Sequence, residues 1–238
     1  CKQAGINLVD TNQHASYICN EFGVDPAAVV RVFVGSTLKP AFRETGTTED
    51  NGKFRIVFVG TYIPLHGVDT ILKAAQILLP QADIEFALVG SGQLKDEMQS
   101  YSLSNHLHNI KFIDWVHPDQ LDVFMRKYDL ALGIFGATEK ASRVIATKIF
   151  DICALGLPFI TSDSNAIREV FEHKVNCYLV PPRDSSALAD AIEILKNDPE
   201  LRGKLARGSA EIYRTKLCPN SICNSLLARI DAMGAIQE

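Results

Sequence analysis

The sequence predicts an α/β protein built on a doubly wound parallel sheet, on three observations. From residue 55 onward, short apolar runs alternate with amphipathic helical patterns about six times. Such alternation implies a parallel sheet covered on both faces. Each place where an apolar run gives way to a helix, from Gly60 on, carries glycine or a small polar residue. In an open parallel sheet those junctions share one rim, where ligands collect. Finally, 238 residues with 47% hydrophobic and 22% charged side chains suit one large soluble domain, or one domain with part of another.

Bulk properties narrow the function. A net charge of −4 argues against nucleic-acid binding by bulk charge. No apolar stretch reaches the roughly 20 residues needed to cross a bilayer. The chain starts at Cys1 without Met and shows no signal peptide. An upstream continuation is therefore the expectation, and targeting is left unjudged. The six cysteines are scattered without C-x-x-C and read mostly as small buried hydrophobes in a reducing compartment. His106 and His108 lack partner ligands at metal-binding spacing and read as surface residues.

Taken in order, residues 5–10 read as a strand, followed by a short helix capped at Thr11 or Asn12 and ended by 20–23. Residues 29–34 read as another strand. This opening unit is too small to bury its own face and must either dock on the rest or belong to a domain whose remainder is absent. Residues 36–53, rich in turn formers, read as a linker, with a domain boundary near residue 50. Strands follow over 55–59, 84–89 and 110–113. Helices are expected after Val68, after Gly92 as far as Ser102, and after His117-Pro118-Asp119. Residues 167–171 read as a helix and 177–180 as a strand. Asp184 and Asp198-Pro199 then cap two further helices. The last helix carries Ile222, Leu226, Ile230 and Met233 on one stripe.

Residues 129–163 organise the chain. Residues 130–134 read as a buried strand, and the segment after it, with Gly136, Glu139, Lys140, Arg143 and Lys148, reads as a loop. A short apolar helix follows, stopped by Gly156 and Pro158, and then a strand over 159–161. Two cations beside a helix start suit an anion, most simply a phosphate or pyrophosphate.

Five blocks carry a family resemblance: FVGTYIPLHGVDTILKAAQIL, LVGSGQLKDEM, IKFIDWVHPDQLDVFMRKYDLAL, TKIFDICALGLPFITSDSNAIREVF and CYLVPPRDSSALADAIEILKNDPELRGKLA. In order and spacing they resemble retaining, GT-B-fold glycosyltransferases of family 4. The resemblance implies a Rossmann-like doubly wound domain, the C-terminal half of a GT-B fold, over 51–216. It further implies a remnant of the N-terminal acceptor domain with its linker over 1–50, and a crossing helix over 217–238.

The resemblance also implies the site. The family's first glycine loop falls on Gly60, Thr61, His66 and Gly67. Many members have Arg and Lys there to hold the donor diphosphate, where this chain has Thr61 and His66. The second glycine loop falls on Gly90 and Gly92, the base-contacting position on Trp115 and Val116, and backbone donors for phosphate on Phe135 and Gly136. Trp115 reads equally well as a core residue capping the sheet. The Glu-x7-Glu signature falls on Arg143 and Asp151; Asp151 is expected at the ribose. Arg143 and Lys148 are expected to neutralise the diphosphate in place of the lost first-loop cations.

The implied reaction is transfer of a sugar from a nucleotide-diphosphate donor with retention, without cofactor or metal. The chain alone is expected to bind donor without turnover, because the acceptor site belongs to the missing N-terminal domain. Its implied partners are the donor and that domain, with no nucleic acid. A cytoplasmic location is implied, peripheral to the inner face of the membrane through the missing half. A non-catalytic nucleotide-sugar-binding module or partner subunit is the competing reading, kept open by Arg143 and by the lost cations. A related epimerase fits the five-block order less well.

Overall fold

A computed structural model describes residues 1, 3–36, 38–40 and 52–234. The opening unit is β1 (Asn7–Val9), α1 (Asn12–Phe22), a 3-10 turn (Pro26–Ala28) and β2 (Val29–Arg31). Thr11 caps α1 by accepting from the His14 N–H, and Gly23 ends it in the left-handed region at φ 59°. The strands β1 and β2 pair in parallel from Asn7↔Val29 to Val9↔Arg31. The strand expected over 29–34 is therefore shorter, because its partner offers only three residues.

The main sheet contains β3 (Phe54–Val59), β4 (Ile84–Val89), β5 (Ile110–Ile113), β6 (Leu130–Leu132), β7 (Phe159–Ser162) and β8 (Tyr178–Val180). Its order is β5-β4-β3-β6-β7-β8, and all five pairings are parallel. After β3 the chain adds two strands on one side, then returns to lay β6 against the other. The switch point of the topology thus lies between β3 and β6, where such sheets open a crevice at their carboxyl ends.

The helices are α2 (Val68–Ile77), α3 (Lys95–Ser104), α4 (Pro118–Met125), α5 (Glu139–Arg143), α6 (Thr147–Ala154), α7 (Ser185–Asn197), α8 (Pro199–Ile212) and α9 (Pro219–Gly234). Alternation along the strands divides the core into two layers. Ile56, Phe58, Phe86 and Leu88 pack with Ile71 and Leu72 of α2 and with Leu188 and Ile192 of α7. Val57, Ala87 and Val89 face Ile149, Phe150 and Cys153 of α6 on the other side.

Several expectations need correction. Residues 139–143 are not loop but the helical turn α5, because Thr138 caps it by accepting from the Ala141 N–H at 3.1 Å. The helix expected over 167–171 is one 3-10 turn, Ile167–Glu169. Of the six cysteines only Cys153 and Cys177 are buried, while Cys1 and Cys223 are exposed on the flanking segments. Ile222 and Leu226 of the α9 stripe are half-buried and Ile230 is exposed. The Met233 side chain and the boundary near residue 50 lie outside the described residues.

The opening unit makes polar contacts with the main domain. Glu169, after β7, accepts from the Asn12 and Gln13 N–H groups at 2.9 and 3.0 Å, and its carboxylate lies 3.5 Å from Arg31. A carboxylate at a helix N-terminus meets both unpaired N–H groups and the helix dipole. Thr11 Oγ1 donates to the Arg143 carbonyl, and Ser36 Oγ donates to Asp151 Oδ1 at 2.6 Å.

Candidate functional site

The crevice is built where the loop after β3 meets the loop after β6. Gly67 is left-handed at φ 63°, and a side chain there would collide with the backbone of Phe135 and Gly136. A side chain on Gly136 would in turn strike the Pro64 and Leu65 carbonyls. The two loops interlock closely enough that only glycine fits at the crossing. Gly90 lies equally tight on the Gly60 carbonyl, and a Cβ on Gly92 would lie 2.7 Å from Tyr62 N. The rim therefore gathers Gly60, Gly67, Gly90, Gly92 and Gly136, as the sequence implies.

Lys148 gives this crevice its chemistry. It sits in the first turn of α6, whose N-cap Ala146 supplies no side-chain acceptor. Its side chain passes across the end of β3, placing Nζ 3.6 Å from the centroid of the Phe58 ring and against Gly60. Lys148 is buried, and its ammonium nitrogen has no hydrogen-bond partner among the described residues. Burial pushes its pKa well below the usual lysine value. An unpaired cation in such a place is costly, and a ring face offsets only part of the loss.

His66 lies beside it. The Thr61 carbonyl can only accept, so His66 Nδ1 carries the proton and donates across 2.5 Å. Burial and the nearby Lys148 push its pKa down to about 4, against a small opposing effect of that hydrogen bond. Neutral at ordinary pH, His66 does not restore the charge that Thr61 and His66 lack as replacements for Arg and Lys.

Arg143 is placed differently. Its guanidinium lies 3.8 Å from the Tyr17 ring centroid on α1 and 3.4 Å from Glu139. The two expected cations thus face different neighbours: Lys148 the crevice floor, Arg143 the opening unit. Asp151, one turn beyond Lys148, has its carboxyl pKa raised by burial, an effect opposed by the Ser36 hydroxyl.

Two further placements differ from expectation. The Phe135 N–H is already engaged, donating to the His66 carbonyl at 3.0 Å, so it is closed to phosphate. Trp115 does not cap the core: it is 73% exposed beyond β5, next to half-buried Val116. Sequence reasoning missed Phe58 beneath the ammonium, Tyr17 beneath the guanidinium, and Ser36 on Asp151. Only Phe58 left a signal, since strand alternation puts it on the α2 face at the last turn before Gly60. Among the described residues, no group of three or more His, Cys, Asp or Glu could hold a metal, and no helix is long and apolar enough to cross a membrane.

A doubly wound parallel sheet with interlocked glycine loops and a buried lysine at its switch point defines a Rossmann-like α/β protein. The chain belongs to the glycosyl transferases group 1 family, whose model matches residues 43–211. It is 29% identical over 162 residues to a phosphatidyl-myo-inositol mannosyltransferase of Mycobacterium leprae, covering 67% of this chain and 41% of that one. It is 25% identical over 138 residues to the amylovoran biosynthesis glycosyltransferase AmsK of Erwinia amylovora, covering 57% and 34%. The chain thus spans less than half the length of these curated relatives.

Among solved structures, Anabaena Alr3699/HepE in complex with UDP and glucose superposes with a TM-score of 0.81 at 16% identity, over 96% of this chain and 63% of that one. TarM of S. aureus superposes at 0.77 with 15% identity, over 95% and 44%. Both likenesses bear on the fold.

Proposed function

We propose that the chain is the donor-binding half of a retaining glycosyltransferase of family 4, which transfers a hexosyl unit from a nucleotide-diphosphate sugar. The observation that carries this reading is the unpartnered Lys148 ammonium at the β3/β6 switch point. A diphosphate there supplies the anion this nitrogen lacks, and the uncapped start of α6 adds the positive end of a helix dipole. The solved relative Alr3699/HepE holds UDP, which supports a uridine or similar nucleotide as the handle.

In this reading the bond from the anomeric carbon to the β-phosphate oxygen breaks with its electron pair leaving on the nucleoside diphosphate. The acceptor hydroxyl oxygen bonds to that carbon on the same face, and the hydroxyl proton passes to the departing phosphate oxygen. Lys148 meets the growing charge, as preorganised cations do in charge-separating transition states. Gly90 and Gly92 let the donor approach the backbone, Trp115 and Val116 border the base, and Asp151 lies toward the ribose. Arg143, the other cation of the reading, faces the opening unit rather than the crevice floor and contributes less to holding the diphosphate. The acceptor enters from an N-terminal domain, of which residues 1–50 are the last part, with α9 crossing back to it. The reading calls for no metal, and it places the protein in the cytoplasm, peripheral to the membrane through that other half.

Calorimetry with uridine, guanosine, thymidine and adenosine diphosphates tests the claim. Lys148→Ala is expected to weaken the best of them at least tenfold, about 1.4 kcal/mol. Arg143→Ala, whose guanidinium already has two partners, costs less. Equal affinity in wild type and Lys148→Ala would overturn the phosphate role.

A further inference from the structure

The environment of Lys148 says more than that an anion fits. Its stem crosses the aromatic face of Phe58 and its nitrogen rests against Gly60, with no acceptor in reach among the described residues. From the first loop, the titratable group facing it is His66, itself uncharged at ordinary pH. On its own helix, Asp151 has turned its Oδ1 to Ser36. From β3 it meets only Phe58. No carboxylate among the described residues therefore compensates the ammonium, and desolvation alone lowers its proton affinity, favouring the free amine.

We propose that the crevice takes up a proton as it takes up its ligand: Lys148 stands as a neutral amine in the empty site and becomes an ammonium when a phosphate arrives. The inference rests on the reading above that the ligand carries phosphate. The balance is simple. One proton leaves solvent for Nζ, forming an N–H bond that the incoming phosphate oxygen accepts, and it returns to solvent when the ligand departs. The empty crevice is thereby spared a buried bare charge, while the occupied one gains a charge-assisted hydrogen bond. Affinity falls as pH rises, because above neutrality each step costs the removal of a scarcer proton from solvent.

Calorimetry of the full chain with the best-binding nucleoside diphosphate, in buffers of different ionisation enthalpy at pH 8.5, tests this. The terminal phosphate is fully ionised there, since its second pKa lies near ~6. The observed heat is expected to vary linearly with buffer ionisation enthalpy, with a slope approaching one proton taken up. His66→Asn should keep that slope. Lys148→Met, which retains an apolar stem over Phe58, should lose both the slope and much of the affinity.

Binding with zero slope in wild type overturns the proton uptake and leaves the phosphate reading standing. Binding with an undiminished slope in Lys148→Met shows that another group takes the proton, and overturns the assignment. Absence of heat and of thermal stabilisation with all four diphosphates overturns both.

Discussion

His66 shows what one side chain can reveal about a site. Its folded pKa of about 4 lies below the ordinary 6.5, so between those values the unfolded chain binds more protons than the folded one. Stability contributed by the neutral imidazole is thus present above pH 6.5 and disappears as pH falls toward 4. Thermal melts of wild type across that window should show a steeper loss of Tm than those of His66→Asn, and parallel curves would refute the burial argument. Lys148 acts with the same sign over a higher range, since its folded pKa is also depressed. The Lys148 charge adds to the lowering of the His66 pKa, whereas burial alone lowers that of Lys148. Two depressed basic groups side by side, with no carboxylate among the described residues paired to Lys148, are what the proposed anion site calls for.

At the scale of elements, the docking of α1 on the main domain is concentrated in a few polar contacts. Glu169 caps two N–H groups and meets Arg31, while Tyr17 receives the Arg143 guanidinium. An N-terminal cap contributes about 0.5–2 kcal/mol, and an exposed cation–π contact about 0.5–1 kcal/mol. Glu169→Ala together with Tyr17→Ala should therefore raise amide exchange in α1 about tenfold or more, with the amides of β3 and β4 unaffected. Uniform acceleration across the main sheet would show that the opening unit is integral to the core. This clamp was not legible in the sequence, because it joins residues 157 positions apart through side chains of ordinary surface type. The helix it holds was legible, from the Thr11 cap and the Gly23 stop. Likewise α6 could be read from its apolar face and Gly156, whereas α5 could not. Five residues give too little periodicity to oppose a loop reading, even with Thr138 as a cap.

For the molecule as a whole, one sheet serves two core layers, so neither layer survives loss of the other. A single cooperative unfolding transition is expected from far-ultraviolet circular dichroism. The one tryptophan, Trp115, is already largely in water, so its emission should shift little across that transition. A large red shift would place Trp115 in a buried setting. The parallel sheet, its two-sided cover and the gathering of the junctions on one rim followed from alternating strand and helix patterns and from glycines at the junctions, whereas the strand order did not. Nor could the pattern supply direction. It placed Arg143 and Lys148 near one another along the chain, yet one faces the sheet and the other faces α1. Side-chain orientation around a helix start depends on which neighbour offers a ring, and Phe58 and Tyr17 lie 90 and 126 positions before the cations they face (148 − 58 and 143 − 17).

The hydrogen bond from Ser36 to Asp151 has a mechanical consequence. Ser36 belongs to the segment leading away from the opening unit, and Asp151 sits one turn along the same helix as Lys148. Because Ile149, Phe150, Ile152 and Cys153 hold α6 in the core, any departure of that leading segment must first break this one hydrogen bond and leave the half-buried Asp151 carboxyl without the Ser36 hydroxyl.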